Sequence, residues 1–203
     1  MDKETRTKYK AKAKDSFKTK KNLFIFQIVI NKKSTFSEKD FEEFSISNYL
    51  IECYTSEYWQ QLLDYKINNL MISDIDKSIS SIEKAHTDLL TQLENKYINT
   101  FSNIFPEDKF VNLLNANVCH YCKISKEMIE KLADNKKIFK KTLRGWKLEI
   151  DRKNSNFEYR PDNCVMSCYW CNNAKTDEFT ELEFLKIGEE IGNVWKNRLN
   201  DFR

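Results

Sequence analysis

Four cysteines stand in two pairs of identical spacing, Cys119-His120-Tyr121-Cys122 and Cys168-Tyr169-Trp170-Cys171, and their chemistry is that of a metal staple. A CxxC pair lets two thiolates reach one ion from a tight turn, and two such pairs supply the four soft ligands of a closed tetrahedral zinc site. The 45 residues between Cys122 and Cys168 exceed the usual zinc-ribbon spacing, so a folded segment must lie between the knuckles. In a reducing compartment paired thiols hold metal rather than form disulfides. Cys53 and Cys164 lack the CxxC spacing and read as free, buried thiols.

The elements that would position further chemistry lie between and beyond the knuckles. Ser125 opens a helix through Met128, Ile129, Leu132, Ile138 and Phe139, with a stop expected near Arg144-Gly145. Trp146 to Arg152 alternates apolar and polar, a half-buried strand that sets Lys147, Glu149 and Asp151 on one face. A polar, turn-rich stretch from Lys153 to Asp162 follows, and Asn163 to Cys168 reads as a returning strand that delivers the chain into the second knuckle. Asn172 to Glu178 then makes a polar start to a helix continuing through Phe184, Ile187, Ile191, Val194 and Trp195.

Leu148-Glu149-Ile150-Asp151-Arg152, Asn163-Cys164-Val165 and Cys168-Tyr169-Trp170-Cys171-Asn172-Asn173-Ala174-Lys175 together resemble the HNH endonucleases of the His-Me finger, or ββα-metal, group, in particular phage and bacterial members pinned by zinc between two CxxC knuckles. The resemblance covers residues 118 to about 195 and is most specific at Asn163, Cys168, Cys171, Asn172 and Lys175. It implies hydrolysis of phosphodiester bonds in DNA with one catalytic divalent ion, magnesium or manganese, beside the structural zinc. In that scheme Asp151 is the metal-binding acid of the first strand, Asn172 completes the metal site, and Asn163 braces the loop and orients the base. Lys175, Lys153 and Arg152 are placed as nucleic-acid contacts. RNA is not distinguished from DNA by this pattern.

The chain departs from the family at Arg152, which stands where the histidine base is found. A guanidinium does not deprotonate at working pH, so Arg152 suits a clamp on a phosphate oxygen rather than a base. Glu149, on the strand face of Asp151, is the first candidate for the base. His120, inside the first knuckle, reads as a packing residue or a donor to a zinc thiolate. The alternative function that follows from the missing histidine is a catalytically inactive, zinc-containing nucleic-acid-binding or assembly subunit.

The remaining residues frame this unit. Only 3 Gly and 2 Pro in 203 residues, with 32% charged side chains, describe a mostly helical chain rather than a turn-rich sandwich. Residues 1–21 carry nine basic against three acidic side chains, a flexible basic arm suited to phosphates. Leu23 to Ile30 is apolar and β-branched and leans toward a buried strand. Ser37 caps a helix bearing Phe41 and Phe44. Tyr58, Leu62, Tyr65, Ile72, Ile79, Ile82, His86, Leu89, Leu93 and Tyr97 lie on one stripe, a long amphipathic helix over about 57–98 able to pair with a protein partner or a second copy, with Asn69 and Asp76 as places where it breaks. His86 on that stripe reads as a core or interface histidine. The resulting fold class is α+β and mostly helical: a basic arm at 1–21, a helical region at 22–105, and a zinc-stapled ββα-metal unit at 106–203. The absence of a membrane-length apolar run and of a signal-type segment predicts a cytoplasmic protein without membrane contact.

Overall fold

The computed structural model describes residues 1–49, 72–138 and 146–201. Cys53, Phe139, the Arg144-Gly145 stop and the first half of the 57–98 stripe lie outside these residues. The described chain is mostly helical with one small two-stranded antiparallel sheet. It divides into two compact units, one of residues 7–101 with 156–158 and the other of residues 1–6, 102–155 and 159–203. Among the described residues no helix is long and apolar enough to cross a membrane.

The 7–101 unit is organised by helix α1 (Lys3–Ile30), which corrects two expectations at once: the basic segment is not a separate arm, and 23–30 is not a strand. Neither Pro nor Gly interrupts this stretch, and Tyr9, Ala13, Phe17, Phe24 and Ile28 recur at helical spacing, so the apolar run continues the buried face of the lysine-rich turns before it. The helix stops at Lys32, whose φ of 54° closes a Schellman turn through Lys33 N–H to the Ile28 carbonyl at 3.0 Å and Lys32 N–H to the Val29 carbonyl at 2.9 Å. Phe24 packs edge-on against Phe36 and Phe41, each about 5 Å away between ring centroids (5.0 and 5.2 Å). Phe41 belongs to α2 (Glu38–Glu43), whose Ser37 cap is completed by Asp40 in a capping box.

Helices α3 (Ile72–Ala85) and α4 (Thr87–Thr100) replace the second half of the expected continuous helix. The interruption is the single residue His86, whose ring lies 4.3 Å from Phe36 in a stack tilted by 21° and whose Nδ1 is 2.9 Å from the Ile82 carbonyl. After this break Leu90, not Leu89, takes the buried position, in register with Ile82, Leu93 and Tyr97. The Tyr97 hydroxyl donates to Glu158 at 3.3 Å and lies 3.1 Å from the Ser16 hydroxyl, both within the same unit.

The second unit holds the knuckles. Its elements are α5 (Glu107–Leu114), α6 (Lys126–Asp134), β1 (Glu149–Arg152), β2 (Cys164–Ser167), α7 (Tyr169–Lys175) and α8 (Glu181–Asn200). β1 and β2 pair Glu149 with Ser167, Ile150 with Met166, Asp151 with Val165 and Arg152 with Cys164. α6 ends earlier than expected, again on a lysine: Lys136 at φ 56° closes the turn through Lys137 N–H to the Leu132 carbonyl at 2.8 Å. The helix expected to run on from Asn172 is split, because Thr176 turns out of α7 and Thr180 starts α8 with its own capping box to Glu183. Of the apolar stripe expected in that helix, Phe184 and Trp195 are buried, whereas Ile187 and Val194 are exposed.

Two glycines one turn apart decide how α8 docks. A Cβ on Gly188 would lie 2.7 Å from Tyr121 Cβ, and one on Gly192 would lie 2.5 Å from the Cys122 carbonyl oxygen. The helix backbone therefore rests directly on the first knuckle. Gly192→Ala is expected to lower stability by about 1–3 kcal/mol, and Lys32→Gly to raise it by roughly 1 kcal/mol by relieving the left-handed lysine. Urea denaturation followed by circular dichroism checks both.

Candidate metal centre and adjoining polar site

The cysteine quartet is assembled by short-range backbone bonds. Val118 bridges to Ser125, the Cys119 N–H donates to the Ile124 carbonyl at 2.9 Å, and Lys123, at φ 60°, donates back to the Cys119 carbonyl at 3.1 Å. The second pair rides on the start of α7, where the Asn172 N–H reaches the Cys168 carbonyl at 2.9 Å. The His120 N–H donates to the Met166 carbonyl at 2.8 Å, which ties the first knuckle to β2.

All four sulfurs are buried and lie within 4.8 Å of one another. Zn–S bonds of about 2.3 Å in a tetrahedron require sulfurs roughly 3.8 Å apart, and Cys122 and Cys168 stand at 3.5 Å. The quartet therefore fits zinc by donor type, count and spread. Hydrogen bonding among the sulfurs, from Cys122 first, holds the Cys119 thiol far below its ordinary value, while Cys168 and Cys171 are pushed up, chiefly by their bonds to Cys119. A thiolate at Cys119, buried among three further sulfurs, calls for a cation. Structural zinc contributes apparent binding free energy on the order of 10 kcal/mol at neutral pH, comparable to the whole stability of a domain. Metal analysis is expected to give one zinc per chain, and strong chelation or Cys168→Ser to abolish the cooperative melting of the knuckle-bearing unit; a chelated protein that melts unchanged contradicts the assignment.

A polar site lies beside the staple, on the face of the hairpin covered by α7. Side chains alternate along β1, so Glu149 and Asp151 share this face. Asn172 and Lys175, three residues apart on α7, meet them in a ladder: Asn172 Nδ2 donates to Glu149 Oε2 at 2.8 Å, and Lys175 Nζ lies 3.7 Å from Asp151 Oδ2. Tyr121, between the first two cysteines, donates its hydroxyl to the same Oδ2 at 2.7 Å. Burial pushes the Asp151 carboxyl up, against the pull of the Tyr121 hydrogen bond and of the Lys175 and Arg152 charges. Burial, then the bond to Asp151, pushes the Tyr121 phenol up, so it stays a donor.

The other expected site residues fall as follows. Asn163 spans the loop after β1: its Nδ2 donates to the Asn154 carbonyl and its Oδ1 accepts from the Asn154 N–H, both at 3.0 Å. The Arg152 guanidinium lies 4.9 Å over the Tyr159 ring. Lys153 pairs with Glu181 Oε1 at 3.2 Å. His120 takes the packing role of the two expected, its ring edge-on to Tyr121 at 5.0 Å, and its hydrogen-bond partner is the same Glu181 oxygen at 2.8 Å rather than a thiolate. Lys175 corrects the expectation of a phosphate contact: only 1% exposed, it donates to the Arg152 carbonyl at 2.9 Å.

Tyr121 and Glu181 were not singled out by the sequence, although each has a local mark. Tyr121 occupies an interior position of a CxxC, and Glu181 follows a helix cap. Neither mark tells what the side chain reaches.

No protein-family model matches this chain, and no curated protein matches it. A solved structure of the rare-cutting HNH restriction endonuclease PacI is similar to it at 25% identity and a TM-score of 0.40, over 53% of this chain and 79% of that one. A likeness that loose assigns no residue its role.

Proposed function

We propose that this chain is a metal-dependent HNH-type endonuclease that hydrolyses phosphodiester bonds in DNA. The observation that supports this reading best is the ladder of Glu149 and Asp151 on β1 against Asn172 and Lys175 on α7, held beside a four-cysteine staple. A buried carboxylate and an amide oxygen are hard donors of the kind magnesium and manganese take, and such ions are held by few protein ligands together with substrate phosphate. Asp151 and Asn172 are the proposed ligands, with Glu149 fixing the Asn172 amide through its Nδ2 so that Oδ1 is the atom offered. The divalent ion bound there would supply stabilisation of the charge that develops on the phosphate oxygens.

The chain's own groups supply the rest. Arg152 clamps a phosphate oxygen through its fork of donors, and Glu149 is the candidate acceptor of the water proton. Asn163 holds the loop that carries Lys153. The exposed lysines of α1, among them Lys10, Lys14 and Lys18, add non-specific attraction for the phosphate backbone. Supercoiled plasmid is expected to be nicked or cut with magnesium or manganese and left intact with chelator. Asp151→Ala and Asn172→Ala should each lower the rate at least ~100-fold with zinc still at one per chain. Undiminished cleavage by both variants refutes the assignment.

One observation favours a second reading. Arg152 occupies the position of the family's histidine, and neither histidine of the chain lies on β1. A nucleic-acid-binding module without chemistry would retard DNA and leave it uncut under every divalent ion tried.

A further inference from the structure

We propose that Tyr121 is the positioning residue for Asp151, so that the four-cysteine staple determines how the carboxylate is presented to a divalent ion. The inference rests on the endonuclease reading above and deepens it. Tyr121 is enclosed on every side that matters: it is 2% exposed, with Cys119 and Cys122 bracketing it in the chain. Its ring meets Phe184 edge-on at 5.0 Å and His120 edge-on at the same separation of 5.0 Å. Gly188 of α8 sits so close that even a methyl there would lie 2.7 Å from Tyr121 Cβ. A ring held this tightly has one place for its hydroxyl, and that place is 2.7 Å from Asp151 Oδ2.

A carboxylate on a strand can rotate about its last bond and exchange its two oxygens. The Tyr121 hydrogen bond and the Lys175 ammonium at 3.7 Å both address Oδ2, which selects one rotamer and reserves the other oxygen. Lys175 does so at ion-pair range while donating to the Arg152 carbonyl at 2.9 Å, so the directional restraint comes from the phenol. Partners of this kind that hold a metal ligand in place change metal affinity or activity by about 10–100-fold when removed. Because closure of the staple on its ion fixes the turn between Cys119 and Cys122, the orientation of Asp151 inherits its order from the knuckle.

Tyr121→Phe keeps the ring and deletes the hydroxyl. The expected result is one zinc per chain, a melting temperature close to that of the parent, unchanged DNA affinity without divalent ion, and a manganese Kd raised about tenfold, with kcat lowered and KM for DNA unaltered. Replacing Tyr121 by 4-aminophenylalanine, which keeps a donor at the ring tip, should restore manganese binding, and this arm decides the matter if the phenylalanine variant folds poorly. Parental manganese affinity in Tyr121→Phe, alongside lost binding in Asp151→Ala, overturns the proposal, as does failure of the amino variant to restore binding. Manganese affinity unchanged in both Tyr121→Phe and Asp151→Ala overturns the ion site itself and the inference with it.

Discussion

The convergence of four thiols on a space small enough for one ion governs the knuckle-bearing unit. A two-stranded hairpin of four residues per strand has too little surface to persist alone in water. Here the hairpin is held at its open end, by the His120 N–H on the Met166 carbonyl and by Cys168 immediately after β2. α8 can reach this assembly only because Gly188 and Gly192 let its backbone touch the turn that carries Cys119 and Cys122. The four-cysteine cluster, the hairpin and the last long helix are thus one packing problem with one solution.

That arrangement accepts an electrostatic burden. Asp151 and Lys175 are withdrawn from water together, and a buried pair of this kind seldom stabilises a fold relative to apolar residues of the same volume. Lys175 is spent on Asp151 and on the Arg152 carbonyl, which leaves Arg152 and Lys153 as the cations nearer solvent along this stretch, the first steadied by Tyr159 and the second by Glu181.

The 7–101 unit rests on different physics. Aromatic rings from α1, α2 and the 34–44 stretch interlock around Phe24, while Lys8, Lys10, Lys14 and Lys18 of α1 are exposed and Lys20 lies over the Phe41 ring. His86 belongs to this core through its stack on Phe36. A charged, repetitive segment such as residues 3–21 looks like a loose arm when judged by composition, yet Tyr9, Ala13, Ser16 and Phe17 recur at helical spacing and are buried.

What the sequence determined by itself was local. Two CxxC spacings, the alternation of Glu149 to Arg152, the Ser37 cap and the return of the chain from Asn163 to Cys168 each depend on residues a few positions apart, so their consequences can be read in a line. Helix ends at Lys32 and Lys136 could not be read, since a left-handed lysine carries no mark that distinguishes it from any other. The tertiary structure alone decided that Tyr121 reaches Asp151 across 30 positions, that His120 reaches Glu181 across 61, and that Lys175 is enclosed rather than exposed. Those outcomes turn on where α7 and α8 settle against the knuckles, and a side chain's partner and solvent access are properties of that packing, not of its neighbours in the chain.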